Sequence, residues 1–177
     1  MQQVCLLTGR PGTGKTSLIK QVVARMEGKA GGFFTEEIRG QGGREGFRLV
    51  TLDGGETILA HVSLRSPYRV GKYGVDVEGL ERVGIPALEK TARQCDLVVI
   101  DEIGKMELFS PRFREAVLQV IDGGKRVLGT IMLSPNPWAD AIKQRPQVNL
   151  ITVTRDNYHR VLAELLTWLA AAEPGKI

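Results

Sequence analysis

Four stretches of the chain carry apolar residues almost without interruption: Gln3–Thr8, Leu97–Ile100, Arg126–Met132 and Val148–Val153. Short runs of this kind predict strands buried on both faces. Between them the period lengthens to that of a helix. Leu18, Ile19, Val22, Val23 and Met26 share one face of a helix that starts near Lys15, with Gly28 as its expected stop. Leu88, Ala92 and Cys95 do the same after Pro86, a residue that costs nothing in a first helical turn because its missing N–H would be unpaired there. Ser110 and Pro111 open another helix that Gly123–Gly124 closes. A short helix is expected at Ala139–Lys143, and Asp156 is expected to cap a last one that buries Val161, Leu162, Leu165, Leu166 and Leu169.

A different texture separates the first helix from Pro86. Gly32–Ile38, Phe47–Leu52 and Thr57–Val62 read as strands, with the Gly40–Gly46 segment, GQGGREG, as a hairpin loop. Ser66–Val77 has no clean period and reads as a long loop. Strands alternating with helices predict an α/β fold whose mostly parallel sheet is flanked by helices on both faces, with a β-hairpin insertion after the second strand. No repeat or low-complexity linker divides the chain, so residues 1–177 are expected to form one domain. The tail Glu173–Ile177 is expected to fray.

Composition narrows the function without naming it. Of 177 residues, 42% are apolar, enough for a real core, and the formal net charge is only +4. That surplus suits an anionic ligand, and no basic block or basic–aromatic run calls for nucleic acid. No apolar stretch is long enough to cross a membrane, and the N-terminus lacks the pattern of a signal peptide. Cys5 and Cys95 lie in or beside apolar runs and read as buried reduced thiols. A cytoplasmic monomer is expected.

The segment Gly9–Thr16, GRPGTGKT, matches G-x-x-x-x-G-K-[ST] throughout, and it lies after an apolar strand and before an amphipathic helix. The glycines let the backbone wrap so that several N–H groups point into one concavity, and the helix behind adds the positive end of its dipole. Lys15 supplies a mobile cation for the β- and γ-phosphates, and the Thr16 hydroxyl is placed to ligate Mg²⁺. The run LVVIDE, Leu97–Glu102, supplies an acidic strand end: Asp101 to hold the Mg²⁺ shell, Glu102 to take a proton from the attacking water. A P-loop NTPase with Mg²⁺ as cofactor and nucleoside triphosphates as substrate is the expectation.

With these residues in view, the chain resembles the cancer-related nucleoside-triphosphatase family, the THEP-type enzymes. GRPGTGKT, GFFTEEIR at Gly32–Arg39, RVGKYGVDV at Arg69–Val77 and DEIGKMEL at Asp101–Leu108 carry the resemblance, in family order and over nearly the whole chain. The resemblance implies slow, Mg²⁺-dependent hydrolysis of ATP, GTP, CTP, UTP and other nucleoside triphosphates with little base preference. It implies a RecA-like sheet in which Val127–Met132 lies between the phosphate-loop strand and the acidic strand, with Thr130 or Ser134 near the γ-phosphate. It also maps the nucleotide contacts onto Gly9, Arg10, Pro11, Gly12, Thr13, Gly14, Lys15 and Thr16, and onto Val98, Val99, Ile100, Asp101, Glu102, Ile103, Gly104 and Lys105.

Other residues are weaker candidates. Lys105 could reach charge developing on the γ-phosphate, which would make Glu102, Lys15 and Lys105 the catalytic set. Arg69 and Lys72, beside Tyr73, could close over the triphosphate, and Glu36 or Glu37 could orient water or metal. Arg155 and Asn157 follow the last strand, where a base could pack. His61 and His159 stand without metal-ligand spacing, and Trp138 and Trp168 read as packing residues. Two alternatives to hydrolysis stay open: phosphoryl transfer to a small acceptor, and a non-catalytic nucleotide-dependent binding switch.

Overall fold

The computed structural model describes residues 2–171. Val4–Thr8 forms β1, and Lys15–Ala24 forms helix α1. Then come β2 (Ala30–Gly40), β3 (Gly43–Thr51), β4 (Glu56–His61), β5 (Arg69–Val70) and β6 (Tyr73–Val75). A short α2 (Val77–Gly79) and a π turn (Leu80–Gly84) lead into α3 (Ile85–Gln94). The remainder is β7 (Leu97–Ile103), a 3₁₀ turn (Glu107–Phe109), α4 (Pro111–Asp122), β8 (Arg126–Ile131), α5 (Pro137–Lys143), β9 (Val148–Thr152) and α6 (Tyr158–Ala170).

Among the described residues, nine strands join one sheet in the order β5-β6-β4-β3-β2-β7-β8-β1-β9. From β2 to β9 the neighbours are parallel; from β2 to β5 they are antiparallel. Strand β8 therefore lies between β1 and β7, as the RecA-like expectation requires. The unbroken apolar runs are explained by two separate cores. Val4, Leu6, Val98 and Ile100 face one layer with Phe33 and Phe113, while Cys5, Leu7, Leu97 and Val99 face the other with Leu18, Ile19 and Val22. Among the described residues no helix is long and apolar enough to cross a membrane.

Several boundaries differ from the sequence reading, each for a local reason. Helix α1 stops at Ala24 rather than near Gly28, because the N–H groups of Arg25 and Met26 turn back to the carbonyls of Val22 and Val23 in a tighter final turn. The loop expected at Gly40–Gly46 contracts to a turn at Gln41–Gly42, since β2 and β3 pair out to Gly40 and Gly43. The supposed loop Ser66–Val77 contains the β5–β6 hairpin, which Gly71 closes at a positive φ of 55°. The helix expected only after Pro86 begins at Val77, where the Asp76 carboxylate accepts the Gly79 N–H, and it widens into the π turn just before the proline interrupts its ladder. Cys95 is half-buried just beyond the end of α3.

Strand β7 runs past Asp101 to Ile103, and β8 ends at Ile131, one residue before Met132. Helix α5 starts two residues earlier than expected because Asn136 caps it through the N–H groups of Trp138 and Ala139. Asp156 does not cap α6; Asn157 occupies the cap position, and its side chain instead accepts the Thr154 N–H. The expected fraying of Glu173–Ile177 lies outside the described residues.

Phe113 is fully buried, with its ring 6.1 Å from that of Phe33 across the α4–sheet contact. Phe113→Ala should destabilise the fold by about 3–5 kcal/mol, measured by reversible urea unfolding. A change below about 1 kcal/mol would mean that this layer collapses to fill the gap.

Candidate active site

The phosphate loop leaves β1 at Gly9 and enters α1 at Lys15. Two of its glycines are dictated by space as well as by torsion. Gly9 has φ 147°, and a Cβ there would lie 2.4 Å from the Val153 carbonyl oxygen. Gly14 has φ 89°, and a Cβ there would meet the Tyr158 ring at 2.7 Å. The Tyr158 hydroxyl shares hydrogen bonds with Ser17 Oγ (3.0 Å) and Gln21 Nε2 (2.7 Å), so the start of α6 braces the loop and its helix. Lys15 Nζ folds back and donates to the carbonyls of Gly9 (3.0 Å) and Arg10 (2.9 Å). Burial lowers the Lys15 pKa, while Glu102 and Asp101 pull it back up.

Across β8, Asp101 sits at 2% exposure. Its Oδ2 accepts from Thr16 Oγ1 at 2.8 Å and its Oδ1 from Thr130 Oγ1 at 2.7 Å. Burial raises the Asp101 pKa; the two hydroxyls and then Lys20 and Lys15 oppose that. Glu102, joined to Asp101 by a cis peptide, lines the cleft beside Lys15. Its carboxyl is also pushed up, by burial first and Asp101 second.

These groups open on one cleft of about 530 Å³. Gly9, Pro11, Gly12, Gly14, Lys15, Thr16 and Ser17 form one end of it; Asp101, Glu102, Lys105, Met106 and Glu107 form the middle; Ile131–Ser134 adds a wall. Thr35, Glu37, Arg44, Phe47, Leu59 and Val70, supplied by β2–β5, form the far end.

Of the positions expected to touch nucleotide, the structure gathers most but not all around the cleft. Arg10 and Thr13 shape the loop, with Thr13 Oγ1 donating to the Arg10 carbonyl at 3.0 Å, but they are not on the cleft wall. Val98, Val99, Ile100 and Ile103 are fully buried in the two cores, where they anchor the strand that carries the carboxylates, and none lines the cleft. Gly104 is buried under the cleft, while Lys105 is exposed at its rim. Thr130 is committed to Asp101, and Ser134 lines the cleft.

The weaker candidates separate clearly. Arg69 donates to the Leu64 and Lys72 carbonyls, and Lys72 lies over the Tyr73 ring at 5.5 Å; neither lines the cleft. Glu36 is paired with Lys20 and Arg48. Glu37 is paired with Arg39 and Arg44, and it does line the cleft. Arg155 is exposed and away from the cleft, and Asn157 closes the turn before α6. His61 bonds Ser63, and His159 stacks edge-on with Tyr158. Trp168 packs in the core with its Nε1 donating to the Gln2 carbonyl, and Trp138 packs against the other layer.

Sequence reasoning overlooked Glu107, Arg44, Phe47 and Tyr158. Glu107 alone carried a signal: it is a carboxylate set among Met106, Leu108 and Phe109, just ahead of a helix cap. Arg44 is held over the Phe47 and Tyr73 rings, with its Nε on the Tyr73 hydroxyl, a contact that only the folded hairpin creates.

Comparison with known proteins gives the family. The family model described as NTPase matches residues 4–166. The nucleoside-triphosphatase THEP1 of Thermotoga sp. (strain RQ2) is 49% identical over 164 residues, spanning 93% of this chain and 94% of its own. The crystal structure of THEP1 from the hyperthermophile Aquifex aeolicus superposes with a TM-score of 0.86 at 39% identity, over 94% of this chain and 98% of that one. The solution structure of a human cancer-related nucleoside triphosphatase gives 0.82 at 37% identity, over 98% and 100%. Matched from its first strand to its last helix, and carrying a complete phosphate loop opposite a paired acidic strand, the chain belongs to the NTPase family.

Proposed function

We propose that the cleft hydrolyses nucleoside triphosphates to diphosphate and phosphate, with Mg²⁺ as cofactor and little regard for the base. The observation that carries this reading is the 2.8 Å hydrogen bond between Thr16 Oγ1 and Asp101 Oδ2, with Glu102 next in sequence and facing the same cleft as Lys15. The similarity to nucleoside-triphosphatases supports it.

The donor set fits Mg²⁺. Asp101 is a buried carboxylate whose direct partners are two hydroxyls, and among the described residues no group of three His, Cys, Asp or Glu forms a cage. A small hard cation that keeps most of its water and takes one carboxylate and one hydroxyl suits such a place. Mg²⁺ held by Thr16 and Asp101 would neutralise charge on the β- and γ-phosphate oxygens.

The remaining work falls to the chain. The loop N–H groups and the α1 dipole bind the phosphates. Lys15, now parked on two loop carbonyls, is free to turn to the phosphate oxygens. Glu102 accepts a proton as the water oxygen bonds to the γ-phosphorus and the diphosphate leaves; a carboxyl whose pKa is raised by burial and by Asp101 is a better base for that task. Lys105, at the rim, is placed to meet charge on the departing phosphate. A second reading, transfer to a small acceptor, is favoured by one observation: the cleft continues past Glu102 into the far end lined by Arg44, Phe47 and Leu59, more space than water needs.

Three outcomes are expected. Glu102→Gln should lower kcat by about 10²–10⁴-fold while nucleotide Kd changes by less than about fivefold, because the lost proton acceptor matters mainly in the transition state. Asp101→Asn should weaken the apparent Mg²⁺ affinity as well as the rate. Near-wild-type turnover of Glu102→Gln would assign the base to another group. In a turnover panel, ATP, GTP, CTP and UTP should differ in kcat/KM by about 30-fold or less, since discrimination needs buried polar groups that a wrong base leaves unpaired. A preference of thousands for one base would refute the open base site.

A further inference from the structure

The proposed reaction makes no use of Glu107, yet among the described residues only Asp101 is a more deeply buried charged side chain. Glu107 is 4% exposed at the start of the 3₁₀ turn, and it lies along the cleft. The neighbours that act on its carboxyl are the N–H groups of Gly104 and Glu107 itself and the carboxyls of Glu102 and Asp101; no cation is among them. Burying a carboxylate without a cation beside it disfavours the charged form. Burial and Glu102 push the Glu107 pKa well up, in agreement.

Its one strong directional contact is with the backbone beneath Glu102. Gly104 N–H donates to Glu107 Oε2 at 3.0 Å, a buried bond, and the Gly104 carbonyl accepts from Leu108 N–H at 3.0 Å. Gly104 is thereby tied from both sides. It is also the surface on which Glu102 rests: a Cβ on Gly104 would fall 2.2 Å from Glu102 Oε1. Only a glycine held in this place leaves the Glu102 carboxyl its position.

We propose that Glu107 is a positioning residue for Glu102: by accepting the Gly104 N–H it fixes the turn against which the Glu102 carboxyl lies, and so sets where the attacking water is held. This rests on the reading of Glu102 as the proton acceptor. The role is that of an acceptor atom at the right distance, and it needs no charge. A neutral side chain of the same length can fill it; a shorter charged one cannot. Misplacing a reacting group by about 1 Å can cost on the order of 10²-fold in rate.

The test is a series at position 107, made in the wild-type and in the Glu102→Gln background. It reads kcat and KM for ATP, affinity for a fluorescent ATP analogue, and Tm. Glu107→Gln should keep kcat within about threefold of wild type, whereas Glu107→Asp and Glu107→Leu should lower it by about 10–100-fold with KM and affinity nearly unchanged. In the Glu102→Gln background all three should differ by less than about twofold, because the group being positioned is gone. Wild-type kcat in a folded Glu107→Leu protein would overturn the inference. So would equal slowing in both backgrounds, which marks a purely structural role, or Glu107→Asp outperforming Glu107→Gln, which marks a charge effect. If Glu107→Leu does not fold, the order of the aspartate and glutamine variants decides alone. Fast turnover by Glu102→Gln itself would remove the underlying reading, whereas slow Glu102→Gln beside fast Glu107→Leu and Glu107→Asp would remove only this one.

Discussion

The site depends on one buried carboxylate. Asp101, 2% exposed, is held by a hydroxyl from the phosphate loop and a hydroxyl from the strand between. A charge taken so far from water is tolerated only when its oxygens are satisfied, and here both are. The same two bonds join three adjacent strands: β1 through Thr16 at the head of its helix, β8 through Thr130, and β7 through Asp101 itself. The phosphate loop and the acidic strand are thereby set at a separation defined by one intervening strand. Removing either hydroxyl would leave a buried oxygen unpaired, so the arrangement resists drift.

Around this centre the sheet has two unlike halves. The parallel half is buried on both faces and carries the loop and the carboxylates at its strand ends. The antiparallel half, β3 to β6, walls the far end of the cleft with Arg44, Phe47, Leu59 and Val70. The ion pairs of Glu36 and Glu37 with Lys20, Arg39, Arg44 and Arg48 lie along β2, where the halves meet. These pairs are partly exposed, and each contributes little to stability. Their contribution is local order: the Glu37–Arg44 pair and the rings beneath Arg44 keep that guanidinium on the cleft wall.

The parallel half was legible in the sequence because burial on both faces leaves an unbroken apolar run, as in VCLLT and LVVI. The phosphate loop was legible because its glycines answer to torsion and close approach, constraints that leave few residue choices. The extension was only half legible. Its hairpins β2–β3 and β5–β6 turn on glycine-containing pairs that read equally well as loops, and pairing rather than composition makes them strands. Helix α2 and the π turn were missed because Pro86 is a strong breaker in sequence and a tolerable one after a widened turn. Within the site, Thr16, Asp101 and Glu102 could be found from motif spacing. Glu107 carried only the signal of a carboxylate among apolar neighbours, with nothing to mark its bond to Gly104, and Tyr158 carried none, since its partner Ser17 is chosen by tertiary contact. Val98–Ile100 lie in the cores, a placement that sequence adjacency to Asp101 does not reveal, because adjacency does not distinguish a residue beside a ligand from one that holds the strand in the core.

In the proposed reaction, water set by Glu102 in a cleft built around Asp101 attacks the γ-phosphorus of a nucleoside triphosphate with Mg²⁺ present. Turnover of ATP in ¹⁸O-labelled water, with mass spectrometry of both products, tests this most directly. The predicted result is a single solvent-derived oxygen in the released phosphate and none in the ADP, with release abolished when a chelator removes Mg²⁺. Label in the ADP, or undiminished release in the chelator, would contradict it.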